Sequence, residues 1–362
     1  MNLNIISKYR GELMGFAIII VMLFHVPVPR SSDWYGLVRM GNLGVDIFFF
    51  LSGIGLWYSW SKMHEKNEKF FTFHSSLFTF YLNRAKRIYP AWLIIAGYFY
   101  ISRFNFSAAT TDSWINLFGQ VFFNWNFWRF DELTFWYVPA TMMMYLFAPF
   151  YMELVRRNDA FRWLVVLPLM WCIIVQYVIP IHAAVGHIEI FWSRVPIFFL
   201  GINIAEAVRQ KRQLDGSTWY LVAMFFIVSL SACMWLEQMR HGKFPLYVER
   251  MLYIPLAITT ILIMSAVFER LATALQSTPR WLPSGAGINA FFTFVGGISL
   301  EIYLLHAQYV LNPLNQLHLG YWPTFLLTVV ISLPLAWLLH QLTKPIVNFL
   351  SPHQSKSVNR KS

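Results

Sequence analysis

The sequence predicts an all-α polytopic membrane protein with about ten transmembrane helices. Three observations lead there. Hydrophobic residues make up 57% of the 362 positions and charged residues only 12%, roughly half the charged share of a soluble domain. Apolar runs of membrane-crossing length recur from residue 14 to residue 350. The lysines and arginines fall in short clusters between those runs.

Taken in order, spans are expected near residues 11–29, 37–61, 78–103, 134–155, 161–181, 188–207, 218–237, 247–268, 289–312 and 323–350. The basic start followed by an apolar stretch has no small-residue cleavage pattern after it, so it is kept as the first span. An even number of spans puts both termini on one side. The basic clusters at 62–69, 84–87, 156–162 and 209–212 share that side, which makes it the cytoplasm. The other side keeps Arg30, Arg39, Arg103, Arg129, Arg194, Arg240, Lys243 and Arg250. Residues 1–350 read as one transmembrane domain and 351–362 as a flexible basic cytoplasmic tail. Residues 104–133 mix Trp114, Phe118, Phe122, Trp125 and Trp128 with polar groups, as an external loop or interfacial helix would. Residues 62–77 read as a cytoplasmic loop.

Several classes are excluded. The formal net charge is +11, yet it forms no continuous stripe, so no nucleic-acid partner is expected. Cys172 and Cys233 lie inside spans and support neither a disulfide framework nor a zinc site. His182 and His187 lack the intervening glutamate of a helical zinc motif, so no metal is expected. The letters around Gly285 and Gly287 match a dinucleotide fingerprint, but no βαβ unit surrounds them.

Ionisable residues inside spans are costly, and they mark a pathway, a pair or a site. His25 lies near the outer end of the first span and Arg10 at its inner end. Helix geometry places the two within roughly 60° of one face and about 22 Å apart along the axis. Asp46 enters the second span at a depth similar to that of His25, which makes a carboxylate available to orient the imidazole. The plainer reading is a helix-start aspartate bonded to its own backbone. Arg84 and Arg87 are one helical turn apart at the cytoplasmic end of the third span. They suit either a bidentate grip on phosphates or simple positive-inside anchoring. In the ninth span Ser299, Tyr303 and His306 share a face. Glu301 points away from it, deep in the apolar slab, where it needs a partner: an ion pair, protonation or a catalytic role.

Together these residues resemble the membrane-bound acyltransferase 3 family across nearly the whole chain. The resemblance rests on His25, on Gly44-Val45-Asp46 through Leu51-Ser52-Gly53, on Arg84-x-x-Arg87-Ile88-x-Pro90, on Phe135-Trp136-Tyr137 with Tyr145 and Pro149, and on Ser299 to His306. Many members place an arginine where this chain has Met14; Arg10, one turn further inward and on nearly the same face, is the nearest basic residue.

The resemblance implies a multi-pass protein of the bacterial inner membrane that takes an acyl group, most often acetyl, from cytoplasmic acyl-CoA. It passes that group to a hydroxyl of a cell-surface or exported polysaccharide. The implied partners are acyl-CoA (acetyl-CoA), a carbohydrate acceptor and the lipid bilayer. On this reading Arg10, Arg84 and Arg87 hold the donor, and His25, oriented by Asp46, is the base. Tyr303 or His306 stabilises the oxyanion, and Glu301 is a further catalytic candidate. A direct transfer and an acyl-histidine route both fit. The competing class is a proton-coupled transporter or polymer-export protein, with His25, Asp46 and Glu301 as the relay.

Overall fold

A computed structural model describes residues 2–66, 73–130, 132–240, 245–274 and 286–350. The tail at 351–362 and the centre of the 62–77 segment lie outside these residues. The flanks of that segment are helical, not loop, because the helices on either side run on to Lys66 and start at Phe73.

The described residues are predominantly helical. Its principal helices are α1 (Arg10–His25), α2 (Leu43–Lys66), α3 (Phe73–Ile101), α4 (Tyr137–Arg157), α5 (Val166–Tyr177), α6 (Val195–Arg209), α7 (Gly216–Arg240), α8 (Tyr253–Ala274), α9 (Ala286–Gly297), α10 (Ser299–Leu305) and α11 (Tyr321–Phe349). Among the described residues six stretches are long and apolar enough to cross a membrane. Two bent pairs raise the number to eight, with a 44° break between Trp192 and Val195 and a 63° break between Gly297 and Ser299. The expected first and third spans, α1 and α3, fall outside that number for physical reasons. Helix α1 has only 16 residues, about 24 Å, and α3 carries Arg84, Lys86 and Arg87 at its centre. These two helices also carry Arg10, His25, Arg84 and Arg87, half of the ionisable residues singled out above.

Packing separates a centre from a periphery. The apolar stretch of Tyr35–Glu65 is 89% buried, whereas those of Gly216–Met239 and Tyr321–Phe349 are 22% buried. Close helix approach in lipid needs small residues, since dispersion contacts rather than water exclusion hold the helices together. Gly15 of α1 lies so close to the Phe292 backbone of α9 that a Cβ would overlap its carbonyl. Gly53 of α2 and Gly201 of α6 pack reciprocally against the Phe198 and Phe50 backbones. Helices α1, α2, α6 and α9 therefore form a tight core.

The 104–133 segment forms an amphipathic helix, Thr111–Phe123, with a Thr110/Ser113 capping box. It leaves Trp114, Ile115 and Phe118 exposed. Its inner edge is tied to α3 by hydrogen bonds from Trp92 to the Val121 carbonyl (2.8 Å) and from Tyr89 to the Phe122 carbonyl (3.2 Å).

Candidate functional site: two abutting cavities

Arg10, Arg84 and Arg87 line a cavity of about 110 Å³ together with Ser52, Thr141 and Tyr145. Among the described residues no aspartate or glutamate lines it. The Arg10 Nε and Arg84 Nε are buried without a hydrogen-bond partner among the described residues, and Arg84 gives one Nη to Ser59 Oγ at 3.1 Å. Gly55 makes room for this arrangement, because a Cβ there would sit 2.8 Å from an Arg10 Nη. Other arginines behave differently. Arg156 and Arg157 bind Glu153 at 2.8 Å, Arg162 binds Asp159 at 3.0 Å, and Arg209 bridges Glu65 and Glu206. Membrane-edge anchoring accounts for cations of that kind. It does not account for three guanidiniums facing one cavity with no carboxylate among its described lining residues, an arrangement that suits an anionic ligand.

A second, larger cavity of about 840 Å³ is lined by His25, His306, Arg39, Asn42, Trp136, His187, Glu189 and Arg250, among others. The two cavities share Val21, Val45 and Tyr303 as lining residues and abut there. Ser299, Tyr303 and His306 lie in that order along α10 and its continuation: Ser299 lines the arginine cavity, Tyr303 both, and His306 the histidine cavity. The break after Gly297 and a π-helical turn over His306–Leu311 set this run apart from a straight helix, a deviation common at functional sites.

His25 and His306 face each other edge to face, ring centroids 4.9 Å apart, with His306 Nε2 3.3 Å from His25 Nδ1. Carbonyl oxygens only accept hydrogen bonds, so the neighbours of each ring assign its neutral tautomer. His306 Nδ1 is 2.9 Å and 3.0 Å from the Ile302 and Tyr303 carbonyls, and therefore carries the proton. His25 Nδ1 is 2.8 Å from the Val21 carbonyl and also carries one. His306 Nε2 is then an acceptor for the same His25 N–H. The lone pair of His25 Nε2 is left for the cavity.

The expected His25–Asp46 pair does not form. Asp46 is 4% exposed, and its Oδ1 faces Arg194 Nε at 3.9 Å. Arg194, 1% exposed, also donates to Asn42 Oδ1 at 3.0 Å and to the Ile190 carbonyl at 3.0 Å. In a low-dielectric interior a carboxylate gains more from a full cation than from a neutral ring. Asp46 thus belongs to a charge network at this end of the bundle, which also holds Arg39–Glu237 (3.4 Å) and Arg250–Glu189 (3.7 Å). Glu301 is likewise absent from both cavity linings: its Oε1 binds His340 Nδ1 of α11 at 2.8 Å. Tyr303 accepts a hydrogen bond from the Tyr137 N–H at 3.0 Å, so its own hydroxyl hydrogen is not used in that bond.

Arg194, Glu189, Glu237 and Arg250 were not singled out as site residues from sequence. The signal was present, since each is a charge in or beside an apolar run. Among the described residues no group of three or more His, Cys, Asp or Glu is placed to hold a metal ion.

A family model described as an acyltransferase domain matches residues 13–341. No curated protein and no solved structure matches the chain.

Proposed function

The chain belongs to the acyltransferase 3 family and is a membrane acyltransferase, and from that premise we propose that it moves an acetyl group from cytoplasmic acetyl-CoA to a carbohydrate hydroxyl on the far side of the bacterial inner membrane. In this reading α1 and α3 also cross the bilayer, giving ten spans with both termini cytoplasmic. The carrying observation is the pairing of a cation-only cavity with a two-histidine cavity across Val21, Val45 and Tyr303.

Arg10, Arg84 and Arg87 bind the phosphates of the donor, and its pantetheine arm covers the roughly 22 Å between Arg10 and His25 along α1. The acceptor hydroxyl approaches from the histidine cavity. His25 Nε2 removes its proton as the hydroxyl oxygen attacks the thioester carbonyl. The resulting imidazolium is stabilised through its Nδ1–H by His306 Nε2, the position expected at first for Asp46. Tyr303 donates its hydroxyl hydrogen to the oxyanion. Collapse of the tetrahedral intermediate breaks the C–S bond, and the departing thiolate takes the proton from His25. An acyl-histidine route uses the same groups in two steps.

The test is acetyl-CoA consumption by purified protein in detergent with a carbohydrate acceptor. Acceptor-dependent CoA release that disappears in His25→Ala supports the reading. Proton-coupled flux that survives the same substitution supports a transporter instead.

A further inference from the structure

A third cavity, about 480 Å³, lies on the opposite side of α1 from His25. Apolar side chains dominate its lining, among them Ile20, Leu23, Leu37, Phe226, Leu230 and Trp322. It opens toward the lipid-facing surface, because α7 and α11, which supply Phe226, Leu230 and Trp322, are among the least buried helices of the bundle. The groove and the histidine cavity flank the same turn of α1: Leu23 lines the groove, while Phe24 and His25 line the cavity. Arg39 lines the histidine cavity and follows the groove residues Leu37 and Val38 in the chain, its guanidinium 4.3 Å over the Phe24 ring. Its Nε faces Glu237, and among the described residues its two Nη groups make no hydrogen bond.

We infer that this groove holds one hydrocarbon chain of a phosphate-bearing lipid, with the phosphate at Arg39 and the headgroup in the histidine cavity. At roughly 30 Å³ for a group the size of a water molecule, the volume takes one chain rather than two. If the acyl-transfer reading holds, the lipid is the carrier on which the acceptor arrives. The chain then acts as a ruler that sets which headgroup hydroxyl reaches His25.

Native mass spectrometry of the purified protein with farnesyl phosphate, farnesol or a two-chain phosphatidylglycerol tests this, with no acyl donor present. Farnesyl phosphate is expected to be retained one to one. Leu230→Trp and Leu37→Trp, which fill the groove, should each lower that retention at least tenfold, while Leu342→Trp on the exposed face of α11 should not. Arg39→Gln should lower retention of farnesyl phosphate and leave farnesol unchanged. Equal retention in both filled variants, or stronger retention of phosphatidylglycerol, overturns the inference. A protein that holds the lipid but transfers no acyl group sinks only the transferase reading; one that transfers but holds no lipid sinks only this one.

Discussion

The two cavities that meet at Tyr303 handle charge in opposite ways. In one, Arg10, Arg84 and Arg87 face each other with no acid among the described lining residues. Around the other, Arg39, Arg194 and Arg250 each face a carboxylate, from Glu237, Asp46 and Glu189. Buried charge must be balanced by something. Where the protein supplies the balance itself, the cavity is prepared for a ligand without a strong charge at the reacting atom, such as a hydroxyl. Where it does not, the ligand brings the balance. On the proposed function, the contrast between protein-supplied and ligand-supplied neutrality supports a donor end at the arginine cavity better than arginine content does, since arginines occur at both ends.

The sharpest way to break the comparison is to unbalance the balanced side. Arg194→Leu leaves the Asp46 carboxylate buried and alone and should cost about 3–5 kcal/mol, read as a lower Tm in detergent; Arg194→Leu with Asp46→Leu should recover most of it. An unchanged Tm in the single variant would mean that the network is not ionised as drawn. The arginine cavity should respond in the opposite sense. Arg84→Ala or Arg87→Ala removes no ion pair and should leave Tm nearly unchanged, but each should raise the KM for acetyl-CoA by about 1.5–3 kcal/mol, the worth of a charge-assisted hydrogen bond. That loss should be smaller at high salt, where the wild-type attraction is already screened.

A somewhat smaller effect is expected at the junction. His306→Leu removes the acceptor for the His25 Nδ1–H and should lower kcat about tenfold, equivalent to about 1.4 kcal/mol, with the donor KM unchanged. A rise in KM with constant kcat would place His306 in binding rather than in charge stabilisation. The smallest effect is expected at Glu301→Gln. Its partner His340 is 37% exposed in its side chain, so stability should shift by no more than about 1 kcal/mol and turnover by less than twofold. A large loss of turnover would return Glu301 to the chemistry.

What was legible in the sequence was whatever lies along one helix. The common face of Ser299, Tyr303 and His306 follows from periodicity, and so does the pairing of Arg84 with Arg87. The apolar runs located the long helices, although Arg84, Lys86 and Arg87 keep α3 from reading as an apolar span. Contacts between helices were not legible. His25 meets His306 across 281 positions, and Asp46 meets Arg194 because the Gly53–Gly201 approach brings α6 against α2. Sequence gives the depth of a residue along a span, but the rotation of one helix against another is set by small-residue packing. That is why an aspartate at the right depth was expected to serve His25, when a histidine from α10 and its continuation does so.

The shared wall of Val21, Val45 and Tyr303 has a consequence for the cell. If the proposed function holds, the catalyst is fed from both faces of a membrane, and such a catalyst risks becoming a leak that short-circuits the proton gradient. On the proposed function, the two branched aliphatic side chains and the phenol at this junction separate one vestibule from the other, and the seal has to open only as far as the acyl group requires.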